Sequence, residues 1–353
     1  MDNVTKLSFK GQAIFIGLDV HQKNWTVTLR NNKLDLKTFS MNPNPKELYL
    51  YMNKNYPQGN YHSVYEAGFC GYWIHRKLSQ LGFKNIIVNP ADVPTSHKEK
   101  DQKRDPIDSR KLARELENGS LEAIYIPTEQ QQAARSLSRL YFKAVKERTR
   151  IKNTIKSFLQ FQGVEIPRMD QVSHWSGRFI QWLKGLSFAE EENQYYLNCL
   201  LDNLQNKRKE ILDMLRVMRN TSKNNPIISY LKSVSGIGFL TAYSLHSELI
   251  DIRRFKNINH LASFIGLIPS IQSSDDHEIK RGLTCRHHKH LRSQLIESAW
   301  VAVRHDPALT QSYNQYIQRM PKQKAIVRIA KKLLNRIRYV WLNEKEYVTG
   351  VVC

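Results

Sequence analysis

Residues Ala13 to Val20 read AIFIGLDV, and the turn after them is His21-Gln22-Lys23-Asn24. Five of the first six residues are apolar, only Gly17 interrupts them, and the run then meets one acid, Asp19. A continuous apolar run of this length reads as a strand buried on both faces. Trp25 to Leu29 (WTVTL) alternates and is rich in β-formers, so it reads as the antiparallel partner. An acid in a core strand is costly to bury without compensation. A bound cation is the simplest compensation, and it needs further carboxylates.

Those carboxylates are found by extending the element pattern. Leu34 to Ser40 reads as a third strand and Pro45 to Tyr56 as a helix. His62 to Ala67 (HSVYEA) is a fourth strand carrying Glu66, and Gly71 to Leu81 is an amphipathic helix. Lys84 to Asn89 is a fifth strand. A basic loop, His97 to Arg104, precedes a helix from Pro106 to about Glu117, with a short strand near Ile124. A three-strand meander followed by α-β-α-β-α is the order of the α/β ribonuclease H-like fold. In that fold, acids on the first strand, the fourth strand and the last helix converge. Asp19, Glu66, Asp105 and Asp108 occupy those places, and the spacing of three puts Asp105 and Asp108 on one helix face. Such hard oxygen ligands suit Mg²⁺, with room for two ions acting on a phosphodiester. The same Asp105-Pro106-Ile107-Asp108 also reads as a helix start, with Asp at the N-cap and Pro at N1. His21, two residues past Asp19, is read as shaping the turn, with contact to a scissile phosphate as the alternative.

From residue 129 the composition changes. Gln130 to Phe161 and Glu191 to Arg219 carry helical apolar patterns and read as two antiparallel helices, a coiled-coil arm. The first helix also holds Arg135, Arg139, Lys146 and Arg150 among few acids, and this face is assigned to nucleic acid. The remainder reads as mostly helical. Gly236 and Gly238, in Val234-Ser235-Gly236-Ile237-Gly238, precede a helix. Two glycines there free the backbone to approach a phosphate; a plain helix–helix turn fits the same five residues. A polar, basic loop is expected over Ser270 to His290, and a last basic helix over Lys322 to Trp341. The expected domains are 1–128, 129–225 and 226–353.

The chain has 353 residues, with 54 Lys+Arg against 32 Asp+Glu, a formal charge of +22. That balance favours a polyanionic partner, DNA or RNA. Cys70, Cys199, Cys285 and Cys353 show no CxxC spacing, which points away from a disulfide framework or zinc and fits a reducing cytoplasm. No run reaches the length of a membrane span.

Six motifs then stand in order: GLDVHQK (Gly17 to Lys23), YEAG (Tyr65 to Gly68), Asp-x-x-Asp with its following Leu-Ala (Asp105 to Ala113), SGIG (Ser235 to Gly238), FIGLIPSIQSSDD (Phe264 to Asp276) and ESAWVAVRHDP (Glu297 to Pro307). This set resembles the transposases of the IS110/IS1111 family of insertion sequences, related to the Piv invertases. The resemblance implies a RuvC-like domain whose DEDD acids match Asp19, Glu66, Asp105 and Asp108, a coiled-coil linker, and a C-terminal domain with a serine nucleophile. The matching serine is Ser274, with Ser273 before it. Asp275 and Asp276 depart from the family pattern, standing where glycines usually follow. Lys280, Arg281 and Arg286 lie near in sequence as candidate phosphate contacts. The resemblance further implies recombination of double-stranded DNA, a non-coding bridge RNA that pairs with donor and target, a homo-oligomer (dimer or tetramer), and a bacterial or archaeal cytoplasm around the nucleoid. Two other readings remain: a RuvC-like nuclease that uses water and needs no serine, and a non-catalytic nucleic-acid-binding protein.

Overall fold

The computed structural model describes residues 8–94, 105–170, 172–274, 277–284 and 287–349, with the strands around 270–281 described by their backbone alone. The expected basic loop, 97–104, lies outside the described residues. The chain divides into two compact units, Met1–Ile126 and Pro127–Cys353.

The first unit is built on β1 (Ala13–Val20), β2 (Trp25–Asn31), β3 (Leu34–Met41), β4 (Asn60–Glu66) and β5 (Lys84–Val88). They form one sheet in the order β3-β2-β1-β4-β5. β1 is central, antiparallel to β2 and parallel to β4, which is in turn parallel to β5. Between the strands come α1 (Pro45–Asn55) and α2 (Trp73–Gln80), and after them α3 (Asp105–Glu117). Alternation along β1 sorts its side chains between two faces. Ile14, Ile16 and Leu18 are fully buried in the cluster that contains Leu48 and Met52 of α1 and Ile74 and Leu78 of α2. Phe15, Gly17 and Asp19 belong to the opposite face, where α3 lies and where Leu112 joins Val64 and Val88. The strand expected near Ile124 is an isolated antiparallel bridge, Val88 to Ala123, with the Ile124 amide donating to the Ile87 carbonyl at 2.8 Å. Pro127 follows three residues on and has no amide with which to extend a ladder.

The second unit begins with α4 (Glu129–Phe161), whose start is closed by a capping box in which Thr128 and Gln131 satisfy each other's amides. After α5 (Gly177–Lys184), α6 (Glu191–Ser222) runs back along it. Antiparallel pairing is visible in Gln162 bonding Asn193 at one end and Glu147 meeting Lys207 nearer the other. Ile155 and Leu159 pack on Leu197, Leu201 and Leu204, with Phe179 and Leu183 of α5 alongside. At the opposite end, Tyr141, Ala144, Met214 and Met218 enter a larger core shared with α7 (Pro226–Ser233), α8 (Phe239–Leu249), α9 (Ile258–Ile265), α10 (Lys289–His305), α11 (Pro307–Ile317) and α12 (Lys322–Asn343).

Between α9 and α10 the structure corrects the expected loop. β6 (Pro269–Ser274) and β7 (His277–Leu283) form a two-stranded antiparallel hairpin, with Ile271 opposite Lys280 and Ser274 opposite His277. Its strands are polar, so hydrophobic periodicity does not reveal them. Two residues, Asp275 and Asp276, connect the strands; they lie outside the described residues.

Candidate active site

The acid site follows from what Gly17 lacks. A Cβ built at Gly17 would stand 2.0 Å from the Ser109 carbonyl and 2.6 Å from the Ala113 nitrogen, both backbone atoms of α3. Only glycine admits the helix this close. Two strands' worth of polar contact then holds it: the Thr28 hydroxyl bonds the Ser109 hydroxyl at 2.8 Å and also meets Thr38 at 3.0 Å. Since Asp19 lies two residues beyond Gly17 on the same face, the start of α3 arrives beside it.

The acids sit in two halves. In the first, His21 Nε2 lies 3.2 Å from Asp19 Oδ2 and 3.6 Å from Asp105 Oδ2. One ligand atom each from Asp19, His21 and Asp105 fall within 4.8 Å of one another. In the second, Lys111 Nζ stands 3.3 Å from Asp108 Oδ1 and 3.8 Å from Glu66 Oε1. Lys111 is only 7% exposed, and a lysine that deep needs the carboxylates it faces. Burial pushes the Asp19 carboxyl above its ordinary value; His21 pulls it down, while Asp105 and Asp108 push it up again. Crowded carboxylates of this kind are the oxygen donors a hard divalent cation takes, and its charge would remove their repulsion; the His21 imidazole beside them orients the two carboxylates it faces. His21, assigned to the turn by the sequence, does bond the Asn24 carbonyl through its amide, but its ring joins the acids. Lys111 was not found by sequence reasoning. A lysine on a charged helix reads as a solvated residue, and only its i+3 spacing from Asp108 hinted otherwise.

In the second unit, Ser274 ends β6, and Ser273 and Lys280 lie within the same hairpin, paired with Glu278 and Ile271 respectively. Arg281 lies on β7; Arg286, Asp275 and Asp276 lie outside the described residues. The hairpin's root is firmly built. Gly266 ends α9 at φ +87°, and a Cβ there would meet His287 Cβ at 2.2 Å. The Thr284 amide donates to the Ile268 carbonyl, and Arg292 donates to the Thr284 carbonyl at 3.2 Å.

Below that root is a buried ion cluster that redirects two of the expected nucleic-acid contacts. Glu248 of α8 is 3% exposed and accepts from Arg139 Nε and Nη2, at 2.7 and 2.8 Å. His288 Nε2 lies 3.1 Å from Glu248 Oε2, while His288 Nδ1 accepts the Leu291 amide and so caps α10. Arg135 donates to the Ser247 and Glu248 carbonyls at the end of α8. Burial would raise the Glu248 carboxyl, but hydrogen bonds from His288 and Arg139 outweigh it and hold the group down at about 2. Arg135 and Arg139 therefore lock α4 to α8 within the protein. The signal for this was an acid inside the apolar helix Phe239–Leu249, whose partners are more than a hundred residues away. Lys146 and Arg150 remain exposed on α4, along a polar groove with Thr149 and Asn153.

Gly236 is likewise used internally. It sits at φ +83°, and a Cβ would meet the Ser298 carbonyl at 2.3 Å, so this turn seats the chain against α10. Gly238 is the N-cap of α8, and a Cβ there meets nothing within 4 Å. The ESAWVAVRHDP motif is structural in part as well: Asp306 caps α11 through the Leu309 amide and accepts the Tyr347 hydroxyl at 2.7 Å.

Comparison with known proteins matches the chain in two blocks. Residues 16–162 match a family described as transposase, of the DEDD, IS110 type, and residues 228–314 match the transposase IS116/IS110/IS902 family. The chain is 27% identical over 279 residues to the transposase for insertion sequence element IS1111A of Coxiella burnetii, covering 77% of this chain and 74% of that protein. It is 29% identical over 315 residues to a putative transposase, y4rJ, of Sinorhizobium fredii, covering 82% and 78%. A third relative, the transposase for IS1533 of Leptospira borgpetersenii, is 24% identical over 70% of this chain and 72% of its own length.

Proposed function

The chain belongs to the IS110/IS1111 family of transposases, and from that premise we propose that it cuts and rejoins double-stranded DNA through a Ser274 nucleophile assisted by Mg²⁺ on Asp19, Glu66, Asp105 and Asp108. The observation that carries the reading is the gathering of Asp19, His21 and Asp105 around one point, with Glu66 and Asp108 drawn together on Lys111. We read the first unit as RuvC-like. Its support is the sheet order with the acids at the ends of β1 and β4 and at the start of α3. The α4–α6 pair is read as the coiled-coil arm, and the division at about 128 and 225 as the domain plan.

Each side chain has a chemical task in this scheme. Bound Mg²⁺ supplies Lewis-acid polarisation of the scissile phosphate and neutralises developing charge. Asp19 and Asp105 provide oxygen ligands, and His21 holds the two carboxylates in one orientation. Lys111 keeps Glu66 and Asp108 from repelling each other before substrate arrives. The Ser274 Oγ attacks phosphorus as the bond to the departing strand oxygen breaks. The proton lost by the serine balances the one gained by the departing hydroxyl. One phosphodiester becomes a phosphoserine ester, and attack on that ester by a strand hydroxyl restores the serine and a DNA phosphodiester, so the bond energy is conserved in the covalent intermediate. A bridge RNA, pairing with donor and target, and a homo-oligomer complete the proposal. The +22 charge supports a nucleoprotein assembly.

The test is attachment. Labelled duplex DNA incubated with the protein and Mg²⁺, then denatured, should migrate with the polypeptide, and mass spectrometry should map the link to Ser274. Ser274→Ala should bind DNA and form no adduct, whereas Ser273→Ala should still form it. Cleavage without any adduct would replace serine by water as nucleophile and support the nuclease reading instead.

A further inference from the structure

The last helix offers a surface that the site has not used. Between Lys322 and Asn343, α12 carries seven Lys or Arg and no Asp or Glu. Its apolar face is buried through Ala325, Ile329, Leu333, Ile337 and Trp341. The opposite face presents Lys324, Arg328 and Lys332 as exposed residues, with Lys331 half-buried beside them. Lys324, Arg328 and Lys332 follow one another at four-residue steps, where like charges repel. A helix face kept for solubility alone would mix acids among them.

The neighbours of these cations are neutral. Lys332 donates to the Ser312 hydroxyl and Lys331 to the Asn259 side-chain Oδ1, each at 2.9 Å. Arg328 and Lys332 lie over the Tyr316 ring at 5.4 and 5.5 Å. Among the described residues, no carboxylate pairs with Lys324, Arg328, Lys331 or Lys332. These contacts aim the cations without neutralising them, and they surround a groove of about 620 Å³. A second hollow, of about 610 Å³, is shared by Lys324, Arg328 and Lys331 with Pro269, Gly282 and Leu283 at the foot of the hairpin. The basic stripe therefore runs without interruption to the strands that carry Ser274.

We propose that the Lys324–Arg328–Lys332 face of α12 is a duplex-DNA backbone site that holds the DNA flanking the phosphate attacked by Ser274. Eight residues of helix span about 12 Å, which along a duplex axis faces roughly three to four phosphates of one strand. The choice of DNA rests on the proposed function, since the stripe ends at the hairpin assigned to DNA attack. The aromatic Tyr316 is engaged by the cations themselves, so the face reads phosphate and not bases.

The experiment uses the full chain, a fluorescently labelled random-sequence duplex and a single-stranded RNA of equal length. Binding is measured by anisotropy from about 50 to 200 mM salt. In the combined variant Lys324→Gln, Arg328→Gln, Lys332→Gln, the slope of log affinity against log salt for the duplex should shrink by about 2.7, at about 0.9 per contact. The thermal midpoint should hold, because the three side chains are exposed. A charge-matched variant, Lys46→Gln, Lys54→Gln, Lys84→Gln, should keep nearly the wild-type slope. An unchanged slope, an equal drop in the charge-matched variant, or a drop confined to the RNA would each overturn the proposal. Failure of the serine chemistry reads out separately, as absence of adduct in a protein whose duplex binding still depends on α12.

Discussion

Gly17→Ala tests the packing that assembles the acid site. The added Cβ would sit 2.0 Å from the Ser109 carbonyl, and even a tight contact requires about 3.0 Å, so α3 must withdraw by about 1 Å. The obstruction is backbone, so no rotamer relieves it. Overpacking of this kind costs about 1–3 kcal/mol. The reduced chain entropy of alanine returns at most about 0.4–1 kcal/mol of that. For a unit of this size the net loss lowers its melting midpoint by several degrees, roughly 4 °C per kcal/mol. The same retreat stretches the 2.8 Å Thr28–Ser109 hydrogen bond past bonding range and moves Asp105 and Asp108 away from Asp19. A displacement near 1 Å at a reacting centre costs on the order of 10²-fold in rate. Calorimetry of the full chain, Mn²⁺ titration and the rate of adduct formation should therefore all decline together. Ala113→Gly added to Gly17→Ala should rescue little, because the Ala113 Cβ is only the third obstacle, at 3.1 Å. A Gly17→Ala protein with wild-type midpoint, metal affinity and adduct rate would refute the account of how the site is positioned.

Three further outcomes follow from the geometry. Glu248, held at about 2 against an ordinary 4.5, contributes stability that is complete above the unfolded value and lost as pH falls through the folded one. That amounts to about 3 kcal/mol; urea midpoints of wild type and Glu248→Gln should be furthest apart at neutral pH and converge between about 4.5 and 2, and parallel curves would dismiss the ion cluster as a stability element. Arg139→Glu should lower the melting midpoint strongly, because it puts a second anion against a buried carboxylate, whereas Lys146→Glu with Arg150→Glu should leave the midpoint alone and flatten the salt dependence of DNA binding. Asp19→Asn should raise the midpoint without metal and abolish stabilisation by added Mg²⁺, because it removes one charge from a repelling set; retained Mg²⁺ stabilisation would relocate the metal.

Much of the first unit was legible because its physics is local. β1 announces itself by an unbroken apolar run, and the strands and helices after it follow periodicities of two and 3.6. The acids were legible as candidates because each falls at an element's end. Their partners were not: His21 and Lys111 acquire their roles only when α3 lands on Gly17, a contact made across most of the unit's length. Arg135 and Arg139 were assigned to nucleic acid because the helical charge pattern is visible in sequence while Glu248 is not visible beside it. The β6–β7 hairpin escaped for the opposite reason, since its strands are too polar to leave a periodic trace. For Gly236 the sequence left a phosphate approach and a plain helix–helix turn open, and the backbone of α10 is what approaches it.

The seating of α3 on Gly17 also sets an order of events during synthesis. β1 emerges from the ribosome almost first and α3 almost last among the elements of its unit. Until α3 docks, Asp19 has no Asp105 beside it and the bare backbone of Gly17 marks an open groove. In a nascent chain the sheet can therefore form before the four acids are gathered. Assembly of the acids becomes the closing step of the unit's folding, so a chain interrupted before α3 carries Asp19 and Glu66 without Asp105 and Asp108.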